Sequence, residues 1–282
     1  MSVTLEQDFS EASVGRDSDG FRIAIFGQIE DPAEVTDVLT AVAGLHPDDA
    51  LRAAHLIPGL MPMRFPKDIA GAVSEKLNQR GLRTLAVSNT ELPSLDYAQT
   101  IHHAYCTAEG LELLGIHGEL KRLVRWRDVS LLSAGCVRVE DGQRRPADPQ
   151  VVLHAAPNPQ RTVAETALRD ALILWVACEQ PWQVYRFVHN QLSYQHLGSR
   201  KTGSSIRNFG LFLEDLAHQA PHAYLTPATR ALLHHGIRRH FEFHSLQELR
   251  DYTVFHLLAQ RLVRQPSAPA CPPAVAADSP SP

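Results

Sequence analysis

The sequence lacks long hydrophobic runs, closely paired cysteines and an excess of positive charge. No apolar run approaches the roughly 20 residues that cross a bilayer, and the acidic first 20 residues contain no signal-peptide core. We therefore expect a cytoplasmic protein without membrane insertion. The net charge of −4 argues against nonspecific binding to nucleic acid, because that binding needs a basic surface.

The cysteines are few and scattered, and none forms a C-x-x-C pair. This pattern indicates neither a zinc knuckle nor a disulfide framework, so we expect buried free thiols. Cys106 follows His102 and His103, which raises the question of a thiol–imidazole pair. Four residues of strand separate His102 from Cys106 by about 13 Å, which is too far for direct proton transfer. We predict no catalytic residue.

Histidine is more frequent, with 15 in the chain, and the segment "HHGIRRHFEFH" groups four of them. Two members, His240 and His244, share a face if this segment is helical, as zinc ligands often do. There is no H-E-x-x-H motif, and Gly236 interrupts the helix. We therefore interpret this group as solvated or helix-capping histidines, and we predict no metal and no other cofactor. The group consists of His234, His235, His240 and His244.

The chain is 282 residues long, 44% hydrophobic and 21% charged, which is typical of a soluble globular protein with a sizeable core. Residues 1–19 lack hydrophobic periodicity, and residues 265–282 form a Pro/Ala/Ser tail with too little apolar surface to offset the entropy of ordering it. Both ends are predicted to be disordered. Between them the patterns predict two domains of α+β class, at 20–90 and 98–264.

The first predicted domain is a small α/β sandwich that begins and ends with a strand. Asp31, followed by Pro32 at the first helical position, predicts the start of its first helix. Alternating or helically spaced apolar residues predict the remaining elements. These are a strand in "FRIAIF", a second helix from Pro47 through Ile57, a third helix through Ile69, Val73 and Leu77, and a strand in "LRTLAV".

This domain contains the segments "AVAGLHPDDALRAAHLIP" and "IAGAVSEKLNQRGLRTLAV". Together with the order of elements, these segments resemble the C-terminal domain of the bacterial ribosomal stalk protein, whose fold the ClpS adaptor shares. The resemblance covers residues 21–87 and implies that fold. Stalk domains bind translation factors through lysines at places where this chain has Pro47, Asp48 and Asp49, so factor binding does not carry over. The ClpS motif that receives degron amino groups is also absent, although Glu30 and Asp31 lie near the corresponding strand end.

The second predicted domain begins with strands separated by glycine turns, the rhythm of an antiparallel meander. Two predicted strands joined by a glycine turn are followed by "W-x-D-V", which leads into a third strand. This pattern resembles the first half of a bacterial PH-like domain. That resemblance implies an antiparallel β-domain closed by a helix. Trp126 and Asp128 are predicted at alternate strand positions, with Trp126 in the core. Further strands are predicted in "VVLHAA", "ALILWVACEQ" and "WQVYRFVHNQ".

Further helices are predicted in the C-terminal part of this domain. One follows the loop "LGSRKTGSSIRNF", and its Ile206, Phe209, Phe212, Leu213 and Leu216 are expected to pack on the β-domain. Another begins at Thr226-Pro227. The last begins at Ser245, which forms a predicted capping box with Glu248.

The densest positive run coincides with one of the strands and contains Lys121, Arg122, Arg125 and Arg127. Most such runs are solvated faces, and aromatic side chains for stacking on bases are limited here to Trp126. We therefore do not expect a nucleic-acid partner.

The segment "LGSRKTGSSIRNF" comes closest to a ligand-binding motif. It is similar to the P-loop pattern G-x-x-x-x-G-K-[ST], but serine stands where the phosphate-binding lysine is required. Two interpretations remain. Basic side chains and the positive helix end can hold a phosphate or sulfate, or a serine simply caps the following helix. We prefer the cap. The candidate anion-binding residues are Arg200, Lys201, Gly203, Ser204 and Ser205.

These observations predict a nonenzymatic protein-interaction or scaffold protein with an unidentified protein partner. The basis is the resemblance to two folds that commonly serve as recognition modules. The alternative is a protein that binds a phosphate or nucleotide ligand through residues 198–205.

Overall fold

The structure is a computed structural model that describes residues 20–115, 117–140, 168–235 and 241–264. The tails predicted to be disordered, the strand predicted in residues 151–156, and Gly236 and His240 lie outside these ranges. The described residues combine helices with several β-sheets, which confirms the α+β class. No helix among them has the length and apolarity to cross a bilayer.

Residues 20–90 form the N-terminal unit, in which a three-stranded antiparallel sheet with strand order β2-β1-β3 is combined with three helices. The predicted first cap is confirmed, since the Asp31 side chain accepts the Ala33 N–H at 2.8 Å. The second helix ends at Ala54, not at Ile57, because Pro58 disfavours helical backbone in the residue before it. The elements are β1 (Phe21–Ile25), α1 (Pro32–Ala43), α2 (Pro47–Ala54), β2 (Gly59–Leu60), α3 (Lys67–Gln79) and β3 (Thr84–Ser88).

Residues 98–264 form the C-terminal unit, whose described residues form two further sheets. One is the antiparallel meander β5-β6-β7, and the other has the order β11-β8-β9-β10-β4, with β12 also paired to β8. The strands are β4 (Gln99–Thr100), β5 (His103–Cys106), β6 (Gly110–Leu114), β7 (Leu120–Arg125), β8 (Val129–Glu140), β9 (Leu168–Glu179), β10 (Trp182–Val188), β11 (Tyr224–Leu225) and β12 (Glu242–Phe243). The helices are α4 (Ser205–Gln219), α5 (Pro227–His235) and α6 (Leu246–Arg264).

The strand prediction around Trp126 is wrong, because Trp126–Asp128 form a single 3₁₀ turn between β7 and β8. This turn places the indole in the core, as predicted, and its Nε1–H donates to the Thr107 carbonyl oxygen at 2.9 Å. A buried indole N–H needs such a partner, and a carbonyl in the β5–β6 turn supplies it. The turn therefore connects the two sheets of the C-terminal unit.

One core of the C-terminal unit lies between its two sheets and α4. Residues from the meander, such as Leu111 and Val124, meet Leu132 and Phe187 from the larger sheet. Helix α4 covers this core with Phe209, Phe212, Leu213 and Leu216, as predicted. Ile206 does not pack there. It lies in the first turn of α4 and is 48% exposed.

A second core joins the two units through α6. The opposite face of the larger sheet, including Trp175, packs against Leu249 and Phe255 of α6, and Ala24 and Leu60 of the N-terminal sheet belong to the same cluster. Successive residues of a strand face opposite sides, so β1 buries Ile23 and Ile25 under its own helices and Ala24 toward α6. The division into two domains stays a prediction, but the two units share this core.

Candidate functional site

The loop 197–204 contains the end of a short 3₁₀ segment, Gln195–Arg200, and leads from it to the start of α4. Gly198 adopts φ 53°, a backbone conformation that favours glycine. Ser204 is the N-cap of α4, and its Oγ accepts the Arg207 N–H at 3.3 Å. Ser205 is the first residue of the helix. The N-cap serine therefore binds one of the N–H groups that an anion at this helix end would use.

The polar groups of this loop are bound largely to one another. The Arg200 guanidinium donates to both carboxylate oxygens of Asp215, at 2.8 and 2.5 Å. Buried Asn208 accepts the Thr202 N–H at 2.7 Å and donates to the Thr202 carbonyl oxygen at 2.9 Å. Lys201 and Gly203 are exposed, and Lys201 forms no ion pair with any described residue. This geometry supports the structural role that we prefer for the loop.

The other sequence candidates do not assemble into a reactive site in the described part of the chain. The Nδ1 of His102 lies 3.2 Å from the Gln191 carbonyl oxygen. Burial, followed by the negative charge of Asp215, raises the pKa of the Cys106 thiol to about 12, which holds it protonated. No group of three or more described His, Cys, Asp and Glu side chains is placed to bind a metal. His240 and the side chain of His235 lie outside the part of the chain that the structure describes.

The structure contains a cleft that the sequence analysis did not predict. Its volume is about 700 Å³, and it lies between the segment 55–62 of the N-terminal unit and the segment 241–256 of the C-terminal unit. Gln28 and Pro227 complete the lining. We call it the interdomain cleft. Both units contribute walls, so neither unit forms it by itself.

Most of the lining of the interdomain cleft is apolar. On one side Leu56 lies at the rim with 41% of its surface exposed, beside Ile57 and Pro58. On the other side α6 contributes Tyr252 and Phe255, which share a helix face because they are three residues apart. The Tyr252 ring also packs against Phe243 with ring centroids 5.1 Å apart. These rings are held in place, so the apolar wall is preformed.

The acidic groups on this wall already have partners. Glu248 accepts the His244 N–H at 2.7 Å, while its own N–H donates to the Ser245 Oγ at 3.1 Å. This is the predicted capping interaction, except that the carboxylate binds the N–H of the residue before the cap. Asp251 accepts from the Arg22 Nη1 at 2.7 Å and from the Gln247 Nε2 at 3.0 Å.

The aromatic groups deeper in the wall are uncharged near neutral pH. Burial, together with the nearby positive charge of Arg230, lowers the pKa of His256 to about 4. Burial also raises the pKa of Tyr252 to about 12, and its hydroxyl accepts the Ala228 N–H at 3.0 Å. The cleft therefore presents a largely neutral, apolar surface with paired charges at its edge.

Sequence reasoning located parts of this wall but not the cleft. The capping box predicted the start of α6, and the second helix was predicted to run through Ile57. No pattern indicated that these segments face each other. Comparison with known proteins adds no assignment, since no protein-family model, curated protein or solved structure matches this chain significantly.

Proposed function

We propose that this protein is a nonenzymatic, cytoplasmic protein-interaction protein that binds an apolar segment of a partner in the interdomain cleft. The observation that carries the proposal is the preformed apolar volume of about 700 Å³ between the two units. Binding pockets typically have volumes of about 300–1,000 Å³, mainly apolar walls and a few placed polar groups. This cleft has that composition.

The architecture supports the same proposal at the level of the fold. The element order of residues 20–90 is that expected of a stalk-like or ClpS-like domain. In the C-terminal unit, two sheets packed face to face and followed by α4 are the arrangement expected of a PH-like domain. We propose both assignments. Both folds commonly serve as recognition modules, which is an argument from analogy.

The hydrogen bonding of the acidic side chains in the interdomain cleft indicates what kind of ligand the cleft can bind. Because Glu248 and Asp251 are already hydrogen-bonded, a ligand gains little by pairing with them and must instead exclude water from the rings of Tyr252 and Phe255. Each large apolar side chain buried in such a site contributes roughly 1.5–3 kcal/mol. A short segment with two or three leucine, methionine or phenylalanine side chains suits the walls.

The chain provides a matched pair of residues to test this proposal. Leu56 and Leu51 are exposed to almost the same extent, 41% and 42%, but only Leu56 lines the cleft. Peptides that bind the full chain are first selected from a random library of twelve-residue peptides. The affinity of the selected peptides is then measured for the unmodified protein and for the Leu56→Lys and Leu51→Lys variants. We expect the selected peptides to be rich in large apolar residues and to bind Leu56→Lys at least about tenfold more weakly, because a lysine charge would have to be desolvated.

Leu51→Lys controls for the general effect of adding a charge to this region, and it is expected to bind the peptides like the unmodified chain. Selected peptides that bind Leu56→Lys and the unmodified chain equally would contradict the proposed use of the cleft. A selection that yields no saturable binder would contradict the proposed interaction function itself.

A further inference from the structure

The outer edge of β7 is free of any described strand. The meander has the order β5-β6-β7, so β7 pairs with β6 on one side only. The edge of β5 differs, because the Ser193 N–H donates to the His102 carbonyl oxygen at 2.7 Å there. In an antiparallel pair, alternate residues direct their backbone N–H and C=O groups away from the partner strand. The β7 edge therefore offers a row of backbone donors and acceptors.

This edge is also strongly basic. Lys121, Arg122 and Arg125 are exposed along β7, and Arg127 follows in the 3₁₀ turn. Arg122 and Arg125 form no ion pair with any described carboxylate, while the contacts of Lys121 with Glu119 and of Arg127 with Asp128 are long, at 4.0 and 3.7 Å. Two guanidinium groups on an open strand edge thus lack counter-charges within the described protein.

A small groove of about 140 Å³ lies beside the β7 edge. Arg122 contributes to it from β7, and Trp182 and Tyr185 contribute from β10. Tyr97 also lines it, with 94% of its surface exposed, compared with 36% for Tyr105. An exposed aromatic ring beside an arginine that forms no described ion pair is a feature of recognition surfaces.

We propose that an extended acidic segment of a partner protein adds to the β7 edge as a fourth strand. Its backbone would satisfy the outward N–H and C=O groups, and carboxylates on it would pair with Arg122 and Arg125. The inference is independent of the interdomain cleft, because none of these residues lines that cleft. Two separate sites would let the protein hold two partners or two parts of one partner.

The observations favour a polypeptide over a nucleic acid at this edge. The aromatic residue inside the basic run, Trp126, is buried and donates to the Thr107 carbonyl oxygen, so it presents no face on which a base can stack. Another strand would pair with both the N–H and the C=O groups of this edge, whereas phosphate oxygens only accept hydrogen bonds and would leave the C=O groups unpaired. The net charge of −4 also argues against a general attraction for nucleic acid over the whole surface.

The test measures fluorescence anisotropy of labelled peptides with the full chain. The probe is a twelve-residue peptide with the repeat Thr-Glu-Glu, which places carboxylates on both faces of a strand, as Arg122 and Arg125 require because they are three residues apart. The second peptide has the same sequence with every backbone nitrogen methylated, which keeps the charge but removes the N–H donors of both strand edges. We expect saturable binding of the first peptide, weakened by added salt, and at least about tenfold weaker binding of the methylated peptide.

Two charge-reversal variants provide the protein controls. Arg122→Glu with Arg125→Glu should weaken peptide binding at least about tenfold, because it replaces attraction by repulsion at the site. Arg52→Glu with Lys76→Glu makes the same change of net charge at exposed positions of the N-terminal unit and should leave the affinity unchanged. Leu56→Lys should also leave the affinity for the acidic peptide unchanged. The proposal for the β7 edge and the proposal for the interdomain cleft can therefore be tested separately. Thermal melting confirms that each variant is folded.

Three results would overturn the proposal. Equal affinity for the methylated and unmethylated peptides would show attraction by charge alone. Tighter binding of a twelve-nucleotide oligouridine than of the peptide, lost in Arg122→Glu with Arg125→Glu, would assign the edge to single-stranded nucleic acid. Self-association of the chain that the same variant abolishes would show that the occupant is a second copy.

Discussion

Arg200 and Lys201 are adjacent in the chain, but the structure places them in different surroundings. The Arg200 guanidinium binds both oxygens of Asp215, and this hydrogen bonding raises the pKa of Arg200. Lys201 is exposed and forms no ion pair with any described residue. One of the two positive charges that suggested an anion site is therefore already neutralised within the protein.

We expect different stability effects from the two residues. Arg200→Ala should lower the free energy of unfolding by about 0.5–1 kcal/mol, the range of a half-exposed ion pair with good geometry. Lys201→Ala should change it by less than about 0.5 kcal/mol, as expected of an exposed residue without a partner. Urea unfolding of the two single variants measures both values.

The same variants test the anion site directly. The melting temperature of the unmodified chain should not rise in phosphate or ATP compared with sodium chloride at equal ionic strength. A phosphate-dependent rise that disappears in either variant would instead support the ligand-binding alternative, since a specific ligand stabilises the folded state that binds it.

Two glycines in different elements show how packing determines the effect of a substitution. A Cβ at Gly135 of β8 would lie 2.5 Å from the Phe243 ring and 2.8 Å from a Leu249 methyl group. A Cβ at Gly210, inside α4, would meet nothing within 4 Å. The first glycine lets β12 and α6 pack closely on the sheet, whereas the second only lowers the helix propensity of α4.

The two alanine substitutions should therefore have opposite signs. Gly135→Ala should lower the free energy of unfolding by about 1–3 kcal/mol through overpacking. Gly210→Ala should raise it by about 0.5–1 kcal/mol, because alanine favours the helix. Chemical denaturation of both variants gives the comparison. A stable Gly135→Ala protein would mean that α6 does not pack on β8 as the structure shows.

The whole molecule depends on contacts between its two units. The Arg22 side chain is 10% exposed and reaches from β1 to Asp251 of α6, which is 14% exposed, at 2.7 Å. Its Nε also donates to the Met61 carbonyl oxygen at 2.7 Å, and Phe26 stacks on Phe255 with ring centroids 5.3 Å apart. These contacts hold the walls of the interdomain cleft together.

Breaking this ion pair should destabilise the protein strongly. Asp251→Asn leaves the Arg22 charge buried without a counter-charge, and we expect a loss of about 3–5 kcal/mol in the free energy of unfolding. Combining Arg22→Met with Asp251→Leu should recover much of this loss, because no unpaired charge remains. Asp49→Asn is the control, since Asp49 pairs with exposed Arg52 at 3.8 Å and should change stability by less than about 1 kcal/mol. Equal effects of Asp251→Asn and Asp49→Asn would show that the units do not dock through this pair.

The sequence predicted a part of a candidate site only where the interacting residues are close together in the chain. The Ser204 cap and the Ser245–Glu248 interaction join residues three positions apart, so sequence patterns predicted them. The Arg200–Asp215 pair joins a loop to the third turn of the following helix, and no local pattern specifies that distance. The interdomain cleft lies between segments about 190 residues apart, and no pattern in either segment indicates the other.

The sequence by itself determined the α+β class, the capped starts of α1, α4 and α6, and the strands whose apolar residues alternate. Caps and periodicity act over a few residues, so they can be read along the chain. Only the tertiary structure decided that Trp126 lies in a turn, that β7 is an edge among the described strands, and that α6 joins the two units. These features depend on which apolar faces pack against each other. The hydrophobic effect stabilises the burial of any apolar face, so an apolar pattern in one segment does not specify which other segment will cover it.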